Sequence, residues 1–404
     1  MYSHLYSDGM NAAVSPAPTP ADAPGRPHGR RRFERSLLQR IARTLLAPDA
    51  FDFWASRLRP GWSWDRPLAR IVSRRSESTD SFTLLLQPNR HWGGFRPGQH
   101  LNIGAEIDGT RITRSYSLSD APRADGRIAI TVKAMPGGRL SQHLCHAARI
   151  GEVLALGPAF GEMTLPETPE GACLEGAWLF LAAGSGITPL MAMVRAQAAL
   201  GMPVPLALIY WARTRDELCF VEELRALAAR QPNFRVDFVL TRDAAASDAE
   251  AGDLRHRRID AQSLSTLAPD LHQRRVFACG PDGFVAAARA LAADRAVAFR
   301  SEAFTPPPQV LFDDDAEAPR HVRIALAKSG RTLDVLRGTS LLVALEDAGL
   351  KPASGCRMGI CNTCACGKRA GTTRHLHTGD IEHEPVSALR LCVNSAGSDL
   401  ILDL

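Results

Sequence analysis

"GCRMGICNTCAC", Gly355 to Cys366, gathers four cysteines into twelve residues of a 404-residue chain that has nine in all. Three readings compete for them: a disulfide staple, a zinc knuckle, or the holder of a group that carries electrons. Composition argues against the first. Cys145, Cys173, Cys219 and Cys279 stand singly in apolar contexts, and an odd, dispersed set suits a reducing compartment better than a disulfide scaffold. The opening residues, "MYSHLYSDGMNAAVSPAPTPADAPGRPHG", hold no apolar run long enough for a secretory signal, so a cytoplasmic protein is expected.

Spacing separates the other two readings. Cys356, Cys361 and Cys364 follow C-x4-C-x2-C, with Cys392 well downstream, the ligand spacing of a plant-type 2Fe–2S cluster held by thiolates. A structural zinc site more often shows paired C-x2-C knuckles, and a Rieske centre replaces two cysteines by histidines. Gly355 and Gly359 allow a loop to wrap a small inorganic core and aim backbone N–H groups at its sulfurs. Cys366 falls off the pattern and reads as a small buried side chain. His375, His377 and His383 lack ligand spacing and read as surface loop residues.

Working outward, the chain divides by rhythm. Residues 1–29 are rich in Pro, Ala, Ser and Gly and read as a disordered tail. Over 30–61 a basic helical extension is expected, with Phe33, Leu37, Leu38, Ile41, Leu45 and Leu46 at helical spacing. Seven arginines from Arg26 to Arg43 face one acid, Glu34. Such a helix either packs on its own protein or touches an anionic membrane face, where each arginine contributes roughly 1 kcal/mol. Short strands such as "SFTLLLQP", "HLNIGAEI" and "RIAITVKA" then fill 62–168 and predict a small antiparallel β-barrel. From 169 to 304 strands alternate with helices, which predicts a parallel sheet with covering helices. "GAWLFLAAGSGITPLMAMV" nearly reaches the roughly 20 residues of a membrane span, but its glycines and Pro189 favour a strand, a loop and a helix. A Pro-rich, acidic linker over 305–319 leads to the cysteine domain, 320–404.

"ASGCRMGICNTC" together with "LRLCVN" resembles the ferredoxin domain of modular flavin-dependent reductases. The two domains before it resemble the ferredoxin–NADP reductase superfamily, so that the likeness covers the chain from Asp65 onward. The fold implied is multidomain: a flavin-binding antiparallel β-barrel, an α/β parallel-sheet nicotinamide-binding domain, and a C-terminal α+β domain of the β-grasp type.

The resemblance also assigns residues. In "RITRSYSLSD", Arg114-Ser115-Tyr116-Ser117 is similar to the superfamily's flavin motif R-x-Y-S. That implies Arg114 on the flavin pyrophosphate, Tyr116 packed on the flavin and Ser117 hydrogen-bonded to its N5. In "VKAMPGGRLSQHL", Gly137, Gly138 and Ser141 open a helix as a phosphate cradle does, with Lys133 a further contact. A full pyrophosphate site implies FAD, with FMN the alternative. "LAAGSGITPL", with Gly184, Gly186, Thr188 and Pro189, is similar to the family's nicotinamide loop. "FACGPDGF", with Cys279, Gly280 and Pro281, is similar to its second, placing Cys279 near the hydride path. "SEAF" implies Glu302 and Phe304 beside the flavin ring. Ser117, Cys279 and Glu302 are the expected catalytic set. In "YWARTRDELCF", Arg213 and Arg215 point to the 2′-phosphate of NADPH rather than to NADH.

The function implied is an NAD(P)H-dependent flavin and iron–sulfur reductase that feeds an electron-acceptor protein. The stretch "FDFWASRLRPGWSWDRPLARIV" with this domain order most resembles reductase partners of membrane fatty acyl-CoA desaturases, which adds possible peripheral membrane contact. Reductases of aromatic-ring oxygenases and of hybrid-cluster proteins share the order, and a non-catalytic redox relay or sensor is the alternative of a different class. No nucleic-acid partner is expected.

Overall fold

The structure is a computed structural model that describes residues 61–166, 176–242, 254–255, 258–304 and 321–404. The expected tail, the basic helix from Arg30 to Leu46, the linker over 305–319 and Cys173 lie outside the described residues.

The first sheet contains β1 (Leu68–Ser76), β2 (Ser81–Pro88), β3 (His100–Ile107), β4 (Thr110–Ser117), β5 (Ile128–Lys133) and, after the short helix α1 (Arg139–Gln142), β6 (Val153–Phe160). Its strands are antiparallel in the order β4-β3-β6-β1-β2-β5. A single bridge from Leu118 to Ile130 joins the two ends. Alternation sorts the side chains. Ile71, Leu84, Leu86, Leu101, Ile103, Ile130 and Leu154 fill the interior, and each such side chain contributes about 1.5–3 kcal/mol by burial. His100 and Asn102, the alternate residues of β3, face the other way.

The second sheet is parallel throughout. It is built from β7 (Ala177–Ala183), α2 (Ile187–Ala199), β8 (Leu206–Ala212), α3 (Val221–Arg230), β9 (Phe234–Leu240), β10 (Leu254–Arg255), α4 (Ala261–Leu267), β11 (Arg274–Gly280), α5 (Asp282–Ala292) and β12 (Ala298–Ala303). β8, "LALIYWA", is buried at every position, as a strand covered on both faces must be. One face packs Phe180, Leu208, Tyr210 and Phe277 under α2 and α3. The other packs Leu179, Ile209, Trp211 and Val276 under α4 and α5. The long apolar stretch is thus β7 and the start of α2, and no helix of the described residues is long and apolar enough to cross a membrane.

Strand order here is β10-β9-β8-β7-β11-β12. Chain direction across the sheet therefore reverses between β7 and β11, and ligands of such sheets bind at the carboxyl ends beside that reversal. Gly184 follows β7 and Pro281 follows β11. These two loops are packed backbone on backbone: a Cβ on Gly186 would overlap the Cys279 carbonyl and stand 2.6 Å from the Gly280 nitrogen. The barrel is joined to this sheet by Arg195 of α2, which donates to the Ser119 carbonyl at 2.6 Å and forks onto Glu223 at 2.8 and 2.6 Å.

The third unit holds β13 (His321–Leu326), β14 (Thr332–Leu336), α6 (Leu341–Asp347), β15 (Ala365–Ala370), β16 (Thr373–His375), β17 (Ile381–Glu382), β18 (Val386–Arg390), β19 (Asn394–Ala396) and β20 (Leu400–Leu402). Its main sheet runs β14-β13-β20-β15-β18, with β13 and β20 parallel at the centre. Leu341, Leu342 and Leu345 of α6 pack on Ile324, Leu326, Leu400 and Leu402. This is the expected α+β ferredoxin-type domain.

Two glycine substitutions test the packing at the loops. Gly186→Ala forces backbone apart and should cost about 1–3 kcal/mol, the usual penalty of overpacking. Gly283→Ala, in α5 with nothing within 4 Å of its Cβ position, should be neutral or stabilise by up to about 1 kcal/mol. Urea-denaturation midpoints of the two variants check the contrast, and equal midpoints would refute the packing argument.

Candidate active site

His100 and Ser117 are directly opposed on β3 and β4, so their side chains leave the same face of the barrel wall. Ser117 Oγ lies 3.0 Å from His100 Nδ1, and His100 Nε2 lies 2.6 Å from Glu302 Oε2. Glu302 in turn is paired with Cys279 across β12 and β11. Burial, reinforced by the Glu302 charge, pushes the Cys279 thiol well above its ordinary range, so it is held neutral. The Phe304 ring meets the His100 ring edge-on at 5.7 Å, and its backbone N–H donates to the Gly280 carbonyl at 2.9 Å. His100 thus joins Ser117 to Glu302, and Cys279 stands beside Glu302 on the neighbouring strand. Sequence reading passed over His100 because a lone His in an alternating strand looks like an outward residue. Its 3 % exposure is a tertiary fact.

Around this centre lie two kinds of loop suited to phosphates. Arg114 is exposed beside it and donates to the Thr113 carbonyl at 2.8 Å. Gly137 has φ +71, a conformation that favours glycine, and Gly138 has no room for a Cβ because Ser141 Oγ occupies the space. The Ser141 hydroxyl is spent within the loop: it accepts from the Met135 N–H and donates to the Gly138 carbonyl, each at 3.2 Å. Lys133 is 2.9 Å from Asp80 and 3.8 Å from Glu217. Burial works against ionising Asp80, but Lys133 and the hydroxyls of Ser81 and Ser78 hold its carboxyl below the usual range.

On the parallel sheet, Gly184 has φ +53 and open space where a Cβ would stand. Thr188 Oγ1 donates to the Ser185 carbonyl at 2.9 Å, and Pro189 lies in the first turn of α2. An approaching phosphate would therefore meet bare backbone and the positive end of a 13-residue helix. Arg213, exposed past β8, forks onto Glu217 at 2.9 and 2.5 Å, and Arg215 opens the short turn Arg215–Glu217.

The cysteine loop is a nest of donors. Backbone N–H groups of Met358, Ile360 and Cys361 point at Cys356 Sγ at 3.3, 3.4 and 3.3 Å. Those of Gly359 and Cys356 point at Cys392 and Cys361, each at 3.2 Å. Such donors favour thiolate and sulfide charge. Arg357 is clamped by Glu346 of α6 at 2.9 and 2.5 Å, and Arg390 donates to the Gly359 carbonyl. The thiols fall into two pairs. Cys361 is drawn below the usual thiol range, first by the hydrogen bond from the Cys356 thiol, and Cys364 likewise, first by the bond from Cys392. Two pairs of thiols are the donor set that the two irons of a plant-type 2Fe–2S cluster require. Burial pushes Cys366, on β15, up to about 11, as befits a packed thiol. His377 Nδ1 lies 2.8 Å from Asp282 Oδ1, a hydrogen bond.

Compared with known families, the chain matches three models in succession. They describe an oxidoreductase FAD-binding domain over residues 69–164, an oxidoreductase NAD-binding domain over 180–290 and a 2Fe-2S iron-sulfur cluster binding domain over 324–393. Over 91% of its length it is 34% identical to an NADPH oxidoreductase of Mycobacterium tuberculosis, covering 92% of that protein. It is 30% identical over 85% of its length to the glycine betaine monooxygenase reductase subunit of Pseudomonas aeruginosa, covering 96% of that subunit. Of solved structures, phthalate dioxygenase reductase superposes with a TM-score of 0.54 at 22% identity, over 83% of this chain and 97% of that one.

Two sets of variants probe the site. Ser at Cys356, Cys361, Cys364 or Cys392 should abolish the visible absorbance of the cluster, whereas Cys366→Ser should keep it. An intact cluster in Cys364→Ser with a lost one in Cys366→Ser would reverse the ligand set. His100→Ala strips a partner from Ser117 and from Glu302, each loss costing about 1–3 kcal/mol. Thermal unfolding of the variant at the wild-type midpoint would contradict the hydrogen-bonded chain.

Proposed function

Because the chain belongs to the family of FAD- and NAD-binding oxidoreductases that carry a 2Fe–2S domain, we propose that it draws electrons from NADPH and passes them to the oxygenase component of a separate enzyme. It is an oxidoreductase whose cofactors are FAD, NAD(P)H and a 2Fe–2S cluster. When bound, these groups supply the redox chemistry: hydride donation, division of an electron pair into single electrons, and one-electron delivery. The protein supplies position. In this reading Arg114 and the Gly137-Gly138 turn hold the flavin pyrophosphate, with Tyr116 packed on the ring. Gly184, Gly186, Thr188, Pro189, Gly280 and Pro281 hold the nicotinamide half, and Arg213 and Arg215 its 2′-phosphate. Ser117 offers its hydroxyl to the reacting edge of the flavin, and the His100–Glu302 pair holds or moves a proton at Ser117 Oγ. Cys279, small and neutral, and Phe304 line the path from which water is excluded. Cys356, Cys361, Cys364 and Cys392 hold the cluster. Lys133 is assigned to Asp80, and Ser141 to shaping the cradle, on the distances above.

The observation that carries this reading is the hydrogen-bonded chain Ser117–His100–Glu302, which joins barrel and parallel sheet with Cys279 beside Glu302 on the next strand. The choice of an oxygenase as acceptor is supported by the glycine betaine monooxygenase reductase subunit, and that of NADPH by the named NADPH oxidoreductase. A membrane fatty acyl desaturase is the second candidate, favoured by residues 51–72, the first ten of which lie outside the described residues. Peripheral membrane contact through the basic helix would accompany that second acceptor.

Purified full chain, supplied with NADPH, should reduce an oxygenase component and support product formation. Electron delivery to a desaturase in liposomes alone would give the acceptor role to the second candidate, and failure with both would remove it. Replacing Arg213 and Arg215 together should raise the KM for NADPH about tenfold or more while leaving that for NADH nearly unchanged, because the lost partner is a phosphate. An equal loss with both nucleotides would place these arginines elsewhere.

A further inference from the structure

We infer that Asn102 is the positioning residue on which the cysteine loop is seated against the flavin barrel, and that it sets the rate of electron passage from barrel to cluster. The inference rests on the reductase reading above. Gly355 immediately precedes Cys356, and a Cβ on it would stand 3.2 Å from Asn102 Oδ1, as well as 2.9 Å from Cys361 Sγ and 3.0 Å from Thr363 Oγ1. The loop backbone itself therefore lies against the barrel, at the residue next to a proposed cluster ligand. A side chain at 355 would crowd Cys361 and Thr363 within the loop and Asn102 on the barrel.

The barrel is shaped to receive this contact. Asn102 Oδ1 accepts a hydrogen bond from Ser115 Oγ at 2.5 Å, and the two residues are directly paired across β3 and β4. Ser115 stands between Arg114 and Tyr116, inside the flavin motif. On the other side, the register of β6 against β3 slips between Leu101 and Ile103, so one extra residue bulges opposite Asn102. Gly157 occupies that bulge, and a Cβ there would stand 3.1 Å from the Asn102 Cβ. Two glycines thus flank the asparagine, one on the barrel and one on the cysteine loop. Two residues along the same face of β3 is His100 of the Ser117–His100–Glu302 chain. One strand face therefore carries both the hydride centre and the seat of the loop.

The second tie lies beside the other glycine loop. His377 pairs with Asp282 at 2.8 Å, and Asp282 follows Cys279-Gly280-Pro281 directly. The cysteine domain therefore approaches the barrel closely at Asn102 and is hydrogen-bonded to the nicotinamide domain at Asp282. Electron tunnelling falls steeply with distance, so a contact of loop backbone on side chain beside the flavin motif fixes the quantity that matters most for transfer. The step is balanced: the reduced flavin loses one electron and the oxidised cluster gains it, with both electrons supplied by NADPH.

Rapid freeze-quench EPR of the full chain after mixing with NADPH reads cluster reduction, while flavin absorbance reads the hydride step. Asn102→Ala should slow cluster reduction about tenfold, as small misplacements do, with flavin bleaching within about twofold of wild type. Asn102→Asp keeps the acceptor for Ser115 and should restore rapid transfer. It also places a negative charge beside the loop, so EPR-monitored redox titration should show the cluster's midpoint potential lowered. That shift reports that residue 102 lies beside the cluster, while the restored rate separates positioning from a merely structural role. Cluster reduction at the wild-type rate in Asn102→Ala, or an unmoved potential in Asn102→Asp, overturns the inference while leaving the reductase reading intact. Failure of NADPH to bleach the wild-type flavin overturns the reductase reading, and this inference with it.

Discussion

The hydrogen-bonded chain from Ser117 through His100 to Glu302 is the constraint that organises this molecule. Its members come from the barrel wall and from the last strand of the parallel sheet, 202 residues apart between His100 and Glu302. Buried polar groups must be paired or they cost stability, so the chain holds only if β3, β4 and β12 meet in one arrangement. That arrangement also brings the Cys279 loop and the Gly184 loop to the barrel. The two glycine loops are in turn locked to each other at Gly186, where only a missing side chain lets one backbone lie on the other. Geometry at the centre and packing at the loops are therefore a single requirement.

The cysteine loop answers a different demand. Four sulfurs must be gathered, and their negative charge must be met without bulky cations. Backbone N–H groups meet it, and they can do so because residues 357, 359 and 362 adopt positive φ and turn successive amides toward the sulfurs. Arg357 and Arg390 brace the loop from outside through Glu346 and the Gly359 carbonyl. The same bare backbone that faces the sulfurs at 355 also lies against the barrel.

Much of this was legible in the sequence, for local reasons. Cysteine spacing, glycine loops between strand and helix, and the change from alternating to continuous apolar runs each depend on neighbours in the chain. The three-domain fold follows from them. What escaped notice depends on distant partners. His100 stands alone in an alternating strand and His377 beside His375 in a polar loop, and nothing nearby shows that one is buried against Glu302 and the other paired with Asp282. Lys133 and Ser141 fit a motif by position, yet their polar atoms are engaged with Asp80 and with the turn itself. Asn102 carries no motif at all. Its surroundings are two glycines and a bulge that come together only when β3, β6 and the cysteine loop are assembled.

The central claim is that electrons move within one chain, from nicotinamide to flavin to cluster. Anaerobic mixing of the cofactor-loaded full chain with excess NADPH, followed at flavin and cluster wavelengths, tests it directly. The account predicts that flavin absorbance falls first, that cluster absorbance follows, and that the second rate does not change with protein concentration. Cluster bleaching ahead of the flavin, or a second rate that rises with protein concentration, would contradict it.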